Sequence, residues 1–373
     1  MPSPSSTTTA NPLPRMPVKQ KMALSIKSLV SSVLGTGKTG PPPPPVAELF
    51  AKTDPAVDGD DCLHDCESCS VRYPRNFKIE TEDLMYGQIE AWSTHLLVGT
   101  GKTDWVRDVA DEKGSVMEAV GKAGKPTNGI MKLSAANIPT PHDTHDYSEP
   151  TTVLLLPAFT VIRNVHPVNV PQLIADVVSL APTSTSPLAP FSVPASLPCP
   201  DPAGAVPALT TADCPHRAVI LMCSQRSRDA RCGQSAPLLR KEFERHLRPL
   251  GLYRDLHDER PGGVGIYFIS HVGGHKYSAN VMVYRRPNAF GLDDDKGETT
   301  GESNGTNGTE KEANGDAKPT GVDGGAAQCI WLGRVMPPDC ENLIRYTVLR
   351  GKVVKPETQL RGGFDRGRGV MSW

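Results

Sequence analysis

The sequence has almost no net charge: 40 Lys and Arg stand against 41 Asp and Glu over 373 residues, a formal −1. A general nucleic-acid or polyanion binder needs a basic surplus, so that class is excluded. No run of 18 apolar residues occurs, which excludes a membrane-spanning helix. Aromatic residues are scarce at 5%, and hydrophobic residues at 38% are few for one compact globule. Glycine and proline take their place, 34 and 36 residues, and predict long disordered stretches beside a folded remainder. The segment 1–17 lacks the apolar core of a secretory signal. Nine cysteines, an odd number at uneven spacing, argue against a secreted disulfide framework. They argue instead for a reduced compartment with metal or redox thiols.

The length predicts two domains plus irregular segments. Residues 1–45 read as a disordered tail that is Ser/Thr/Pro-rich and ends in the run Pro41 to Pro45. No acid occurs before Glu48, so a mitochondrial transit peptide is a second reading of this tail. Residues 46–180 read as an α/β region, with strand-like runs at 91–100 and 152–157. Helical character is predicted over 105–121 and 170–180. The Pro/Ser-rich stretch 181–215 reads as a linker.

Residues 216–360 carry clear α/β punctuation. Strands are predicted at 218–222, 264–270 and 281–284, with an amphipathic helix over 235–248 that sets Leu238, Leu239, Phe243 and Leu247 on one side. The insertion 291–325 reads as disordered, since 291–320 hold eight acids against three lysines. A further helix is predicted over 339–349, and residues 361–373 read as a Gly/Arg tail ending in Met371-Ser372-Trp373.

Two phosphate-loop look-alikes fail on inspection. Gly-Lys-Thr at 37–39 and at 101–103 each needs another glycine five positions before its own, but Ser32 and Leu96 stand there. The spacing Cys62-x3-Cys66-x2-Cys69 offers three thiolates, the ligand count of a radical enzyme using S-adenosylmethionine. Ser68 stands where such enzymes usually carry an aromatic residue, and no βα repeat follows. A metal or redox role and plain structural thiols both remain open for these three.

Two other segments converge. Cys223-Ser-Gln-Arg-Ser-Arg-Asp-Ala-Arg-Cys232-Gly233 lies between a predicted strand and a helix start, and His271-Val-Gly-Gly-His275 follows a strand directly. Both fall at strand C-terminal ends, where open α/β sheets place their sites. Two thiolates and two imidazoles make a four-ligand metal set. Eight residues separate the cysteines, against two to four in a zinc knuckle, so the loop suits a bulkier binuclear iron–sulfur cluster. Gly273 and Gly274 let the backbone turn so that both histidines reach one iron. Arg226, Arg228 and Arg231 add positive charge around it. Two neutral histidines replacing two thiolates raise the potential, and the second ring nitrogen of each can couple a proton to the electron. A thiol–disulfide oxidoreductase or redox sensor, and a structural zinc module acting in interactions, are the competing readings.

At these residues the chain resembles the sucrase/ferredoxin-like family, thioredoxin-like [2Fe-2S] ferredoxins of fungi and plants. The resemblance rests on Cys223 to Gly233, on His271 to Tyr284, and on Trp331-x-Gly-Arg-Val335-x-Pro337, with Trp105 fitting the N-terminal half. It implies a thioredoxin-like C-terminal domain and a [2Fe-2S] cluster held by Cys223, Cys232, His271 and His275, the histidines on the solvent-facing iron. It implies an electron carrier serving other redox proteins rather than a turnover enzyme. It assigns nothing to Cys62, Cys66 and Cys69. Met371-Ser372-Trp373 looks like the tripeptide by which the cytosolic iron–sulfur assembly machinery recognises clients. That places the protein in the cytoplasm, with the mitochondrion as the alternative. No nucleic-acid or membrane partner is expected.

Overall fold

The computed structural model describes residues 42–198, 206–293 and 324–373. Most of the expected N-terminal tail 1–45, most of the insertion 291–325 and the middle of the 181–215 stretch lie outside the described residues. What is described is a mixed α/β fold with one large central sheet and few helices.

The N-terminal half contributes β1 (Thr94–Gly99), β2 (Met131–Ala136), β3 (Thr151–Leu156) and β4 (Thr160–Val165), then β5 (Ser196–Leu197) and β6 (Leu209–Asp213). The C-terminal half contributes β7 (Ala218–Cys223), β8 (Tyr253–Arg254), β9 (Val264–Ile269), β10 (Val281–Arg285) and β11 (Gln328–Leu332). It ends with β12 (Leu360–Asp365) and β13 (Val370–Met371). Helix α1 (Val116–Lys122) joins β1 to β2, α2 (Val170–Asp176) follows β4, and α3 (Ala230–Leu247) joins β7 to β8.

The two halves repeat one plan. In each, a parallel pair linked through a helix is extended by two antiparallel strands: β2-β1-β3-β4 and β9-β7-β10-β11. They meet where β2 pairs antiparallel with β9 at Ala136 and Ile269. The second plan falls within residues 216–360, where the sequence predicts an α/β unit.

Two stretches differ from the sequence reading. Part of the supposed linker 181–215 forms strands, since β5 and β6 extend the sheet beyond β4. Part of the supposed tail 361–373 is β12 and β13, paired to β11. Proline and glycine density hid both. Gly363, at φ +143, lies so close to the Cys329 carbonyl that any side chain would collide with it. Its glycine therefore serves sheet packing rather than flexibility.

Side chains alternate along β7 with period two. Ala218, Ile220 and Met222 join Leu239, Phe243 and Leu247 of α3 in one core cluster. Each such fully buried large side chain contributes roughly 1.5–3 kcal/mol. Val219, Leu221 and Cys223 face the other side, into a cluster with Trp92, Trp331 and Phe364 that spans both halves. Leu238 leaves the expected stripe and packs instead against Cys66, Cys69 and Val71.

Helix α3 starts at Ala230, five residues earlier than expected, because the Asp229 carboxylate caps it by accepting from the Arg231 amide. Cys232 and Gly233 therefore sit inside the helix and not in a loop before it. The predicted 339–349 helix is a short α-turn, Cys340–Asn342, running into a π-helical segment, Leu343–Val348. No helix among the described residues is long and apolar enough to cross a membrane.

One buried histidine gives the fold a pH dependence. His216 is 3% exposed, its Nε2 lies 2.9 Å from the Tyr267 hydroxyl, and burial pushes its pKa down from 6.5 to about 4. Arg254 and Arg286 reinforce the shift and Asp258 opposes it. The unfolded chain takes up a proton below pH 6.5 that the folded chain refuses until pH 4. Stability therefore falls as the solution is acidified through that window, by up to about 3 kcal/mol. Urea midpoints at pH 7 and pH 4.5 should differ less in His216→Gln than in the parent. An equal difference would assign the slope to other groups.

Candidate metal centre

The four expected ligands gather at the carboxyl ends of the parallel pair β7 and β9. Cys223 is the last residue of β7 and is 3% exposed. Cys232 lies in the first turn of α3 and is 1% exposed. His271 follows β9 by two residues, and His275 opens the 3-10 turn His275–Tyr277. The histidine rings are 5.1 Å apart between centroids.

The Cys223 and Cys232 thiols bias each other's acidity in opposite directions. The neighbouring Cys232 sulfur, followed by burial, pushes the Cys223 pKa far up. Cys232 is held below its ordinary value by the neighbouring Cys223 thiol, and Ser278 Oγ is 3.2 Å from its sulfur. The pair is poised to lose its first proton from Cys232.

His271 is half-buried, and burial, aided by Arg228, His275, Lys132 and Arg361, pushes its pKa to about 4. It is neutral at physiological pH, the state in which an imidazole can bind metal. The Nδ1 atoms of both His271 and His275 are buried without any hydrogen-bond partner. Orphaned polar atoms of this kind are costly, and two side by side call for a shared ligand. His275 turns its other nitrogen outward, with Nε2 3.9 Å from the Asp229 carboxylate and 42% of the side chain exposed. Two thiols and two free imidazole nitrogens fit a metal group bound through sulfur and Nδ1.

The loop between the histidines is held from outside. Gly274 adopts φ +67, and a side chain there would strike the Arg361 guanidinium. Arg361 is 3% exposed and donates to Gly273 O at 2.9 Å and Asn280 Oδ1 at 2.7 Å, while lying 4.5 Å over the Trp331 ring. Burial lowers its pKa only to about 10, so it carries a positive charge close to Cys223. Gln225 Oε1 accepts from the His271 amide at 2.8 Å. Arg361, Gln225, Ser278 and Asn280 escaped the sequence reading. Arg361 could have been noticed as a cation just ahead of the paired glycines of an apparent tail.

The N-terminal half closes the site. Ser224 Oγ donates to Thr103 O at 2.7 Å, and Gln225 and Ser227 donate to the carbonyl of buried Trp105. Of the three arginines expected there, Arg228 bears on His271 while donating to Arg107 O at 3.1 Å, and Arg231 bears on Cys232. Arg231 is neutralised by Asp229 at 2.7 Å, and Arg226 is exposed.

Cys62, Cys66 and Cys69 do not join this group. Cys62 is in the α3 core cluster, and Cys66 lies 3.9 Å from His246 Nε2. His246 lies fourteen helical positions after Cys232, roughly 21 Å of rise. Met371 pairs in β13, Ser372 is 1% exposed with its Oγ accepting from the Gly363 amide at 2.9 Å, and Trp373 rests on Trp92 at 4.4 Å. The tripeptide is docked in the fold rather than free, because Trp92 and Phe364 offer it an aromatic bed.

The sucrase/ferredoxin-like family model matches residues 85–362. The chain is 30% identical over 266 residues to the actin patches distal protein 1 of Saccharomyces cerevisiae, covering 65% of this chain and 77% of that one. It is 27% identical over 140 residues to the altered inheritance of mitochondria protein 32 of Clavispora lusitaniae. The Debaryomyces hansenii protein of that name is 29% identical over 137 residues. Those matches cover 38% and 37% of this chain and 33% of each relative. No solved structure matches. The chain belongs to the sucrase/ferredoxin-like family.

Proposed function

We propose that the protein is an electron carrier whose Cys223 and Cys232 hold one iron, and whose His271 and His275 hold the other, of a [2Fe-2S] cluster. The observation that carries this reading is the pair of buried, unpartnered Nδ1 atoms beside the buried thiol pair. Such a cluster takes up and returns one electron, at a potential raised by neutral imidazole ligation.

The protein's own residues do the rest. Cys232 and Cys223 give up their protons to become ligands, and the positive charge of Arg361 offsets the thiolate charge. His271 is already neutral. His275 presents Nε2 to solvent beside Asp229, a place where a proton can be held when negative charge arrives. The segment around Trp105 covers the cysteine loop and keeps water from it. Redox partners would dock on the histidine side, where the site reaches the surface.

No three of these four donors lie within 4.8 Å of one another. A single tetrahedral zinc would draw its donors to about 3.3–3.8 Å, so the wider spread supports a binuclear group over the zinc module. The opposed acidities of the neighbouring Cys223 and Cys232 thiols favour a second reading, a redox-active dithiol. The cytoplasm, with the mitochondrion as alternative, and delivery of iron and sulfide by the cytosolic assembly machinery belong to the same proposal. Recognition of residues 371–373 would require them to leave Trp92.

Absorption spectra with iron and sulfide analysis of anaerobically purified protein, and EPR after dithionite reduction, test it. A red-brown protein with about two irons and two sulfides and a low average g supports the carrier. A colourless protein that fails reconstitution with iron and sulfide, yet forms a Cys223–Cys232 disulfide reversibly, supports the dithiol and overturns the carrier.

A further inference from the structure

At the far end of α3, three donors from distant segments meet. Cys66 Sγ is 3.9 Å from His246 Nε2, and the donor atoms of Cys66, His246 and Glu341 all lie within 4.8 Å of one another. The Cys66 amide donates to Pro338 O at 3.0 Å, which fixes the thiol against the Pro337–Asp339 turn that leads to Glu341. Cys66 is 8% exposed, the His246 side chain 14% and the Glu341 side chain 34%. The donors are therefore largely sheltered, yet open to solvent on the carboxylate side.

We propose that Cys66, His246 and Glu341 bind a zinc ion, separate from the Cys223/His271 centre. The donor set is one thiolate, one imidazole and one carboxylate, which together neutralise a dication. Tetrahedral zinc with ordinary Zn–S and Zn–N bonds sets those two atoms about 3.6 Å apart. The 3.9 Å spacing needs an adjustment of only a few tenths of an ångström. Three protein ligands leave one position for water. Cys69, the other half of the Cys-x2-Cys spacing, is turned away: its thiol donates to Val71 O at 3.5 Å, and burial raises its pKa.

Arg245 competes with the metal. Its Nη2 is 3.3 Å from Cys66 Sγ and 3.0 Å from His246 Nε2, so it stands beside the atoms a cation would bridge. The side chain is 39% exposed and is already anchored to Glu242 at 2.8 Å and to Ser68 Oγ at 3.1 Å. It can rotate outward while keeping the Glu242 pair. Zinc binding releases the Cys66 proton and the Arg245 contact together, so affinity should rise with pH and when the guanidinium is removed. The bound ion would tie the Cys62–Cys69 segment to α3 and to the 340–348 helical turn.

The experiment is zinc titration of the full-length protein by competition with a chromogenic chelator, with Co2+ as a spectroscopic probe. Iron and labile sulfide are measured on the same samples. The parent should bind one zinc and show a thiolate-to-cobalt charge-transfer band. Cys66→Ser and His246→Gln should each weaken zinc by roughly tenfold or more with iron unchanged, and Arg245→Gln should tighten it roughly threefold or more. Cys232→Ser should leave zinc binding intact, which separates this site from the iron reading. The proposal is overturned if neither the parent nor Arg245→Gln binds zinc. It is equally overturned if Cys66→Ser and His246→Gln bind it as the parent does, or if they lose iron instead.

Discussion

Cys232→Ser should strip the protein of iron and labile sulfide, from about two of each per chain to near none. The sulfur is the first of the pair to ionise, because the neighbouring Cys223 thiol and Ser278 Oγ, 3.2 Å away, hold its pKa below the ordinary thiol value. A serine oxygen at this place stays protonated at neutral pH and cannot act as a thiolate ligand. Cys223→Ser should have the same effect from the other side. Cys62→Ser serves as the control, since Cys62 is buried in a different core cluster, and it should keep its full iron. Iron retained by Cys232→Ser would remove Cys232 from the ligand set.

His275→Cys should keep a bound cluster but lower its reduction potential by on the order of 100 mV, since one more thiolate adds a negative charge that opposes the incoming electron. It should also weaken the pH dependence. On the proposed carrier reading, a proton held at His275 Nε2, which faces Asp229 and solvent in the parent, would compensate the electron. The potential should then fall by as much as about 59 mV per pH unit above the pKa of the oxidised form. Cysteine offers no second basic atom, so only the proton linked to His271 remains. Protein-film voltammetry between pH 6 and 9 reads both quantities. A potential and slope identical to the parent would mean that the histidines hold no metal.

The strand-end placement of the four candidate ligands was legible because its cause is local. Apolar runs at 218–222 and 264–270 make adjacent strands, and the residues just after them must sit at the sheet's carboxyl edge. The helix start was misplaced because the pattern of apolar residues begins only at Leu238, while the cap is Asp229 nine residues earlier. That error put Cys232 and Gly233 in a loop. The strands at 360–371 were missed because Arg361-Gly-Gly carries no strand signal. Its pairing with β11 is decided by close backbone approach at Gly363, which only a partner strand reveals.

The order of chemistry along the chain was therefore written in the primary structure. Two cysteines with eight residues between them, two histidines around paired glycines, and the near absence of net charge or long apolar runs already pointed toward redox or metal chemistry. Only the folded chain decided which polar atoms are left without partners and which arginine faces the site. It also decided that Cys66 belongs with His246 and Glu341 rather than with Cys223. Those facts depend on contacts between residues up to 275 positions apart, Cys66 to Glu341. Burial and close approach at that range come from how the sheet halves and α3 pack, which no local pattern of residues encodes.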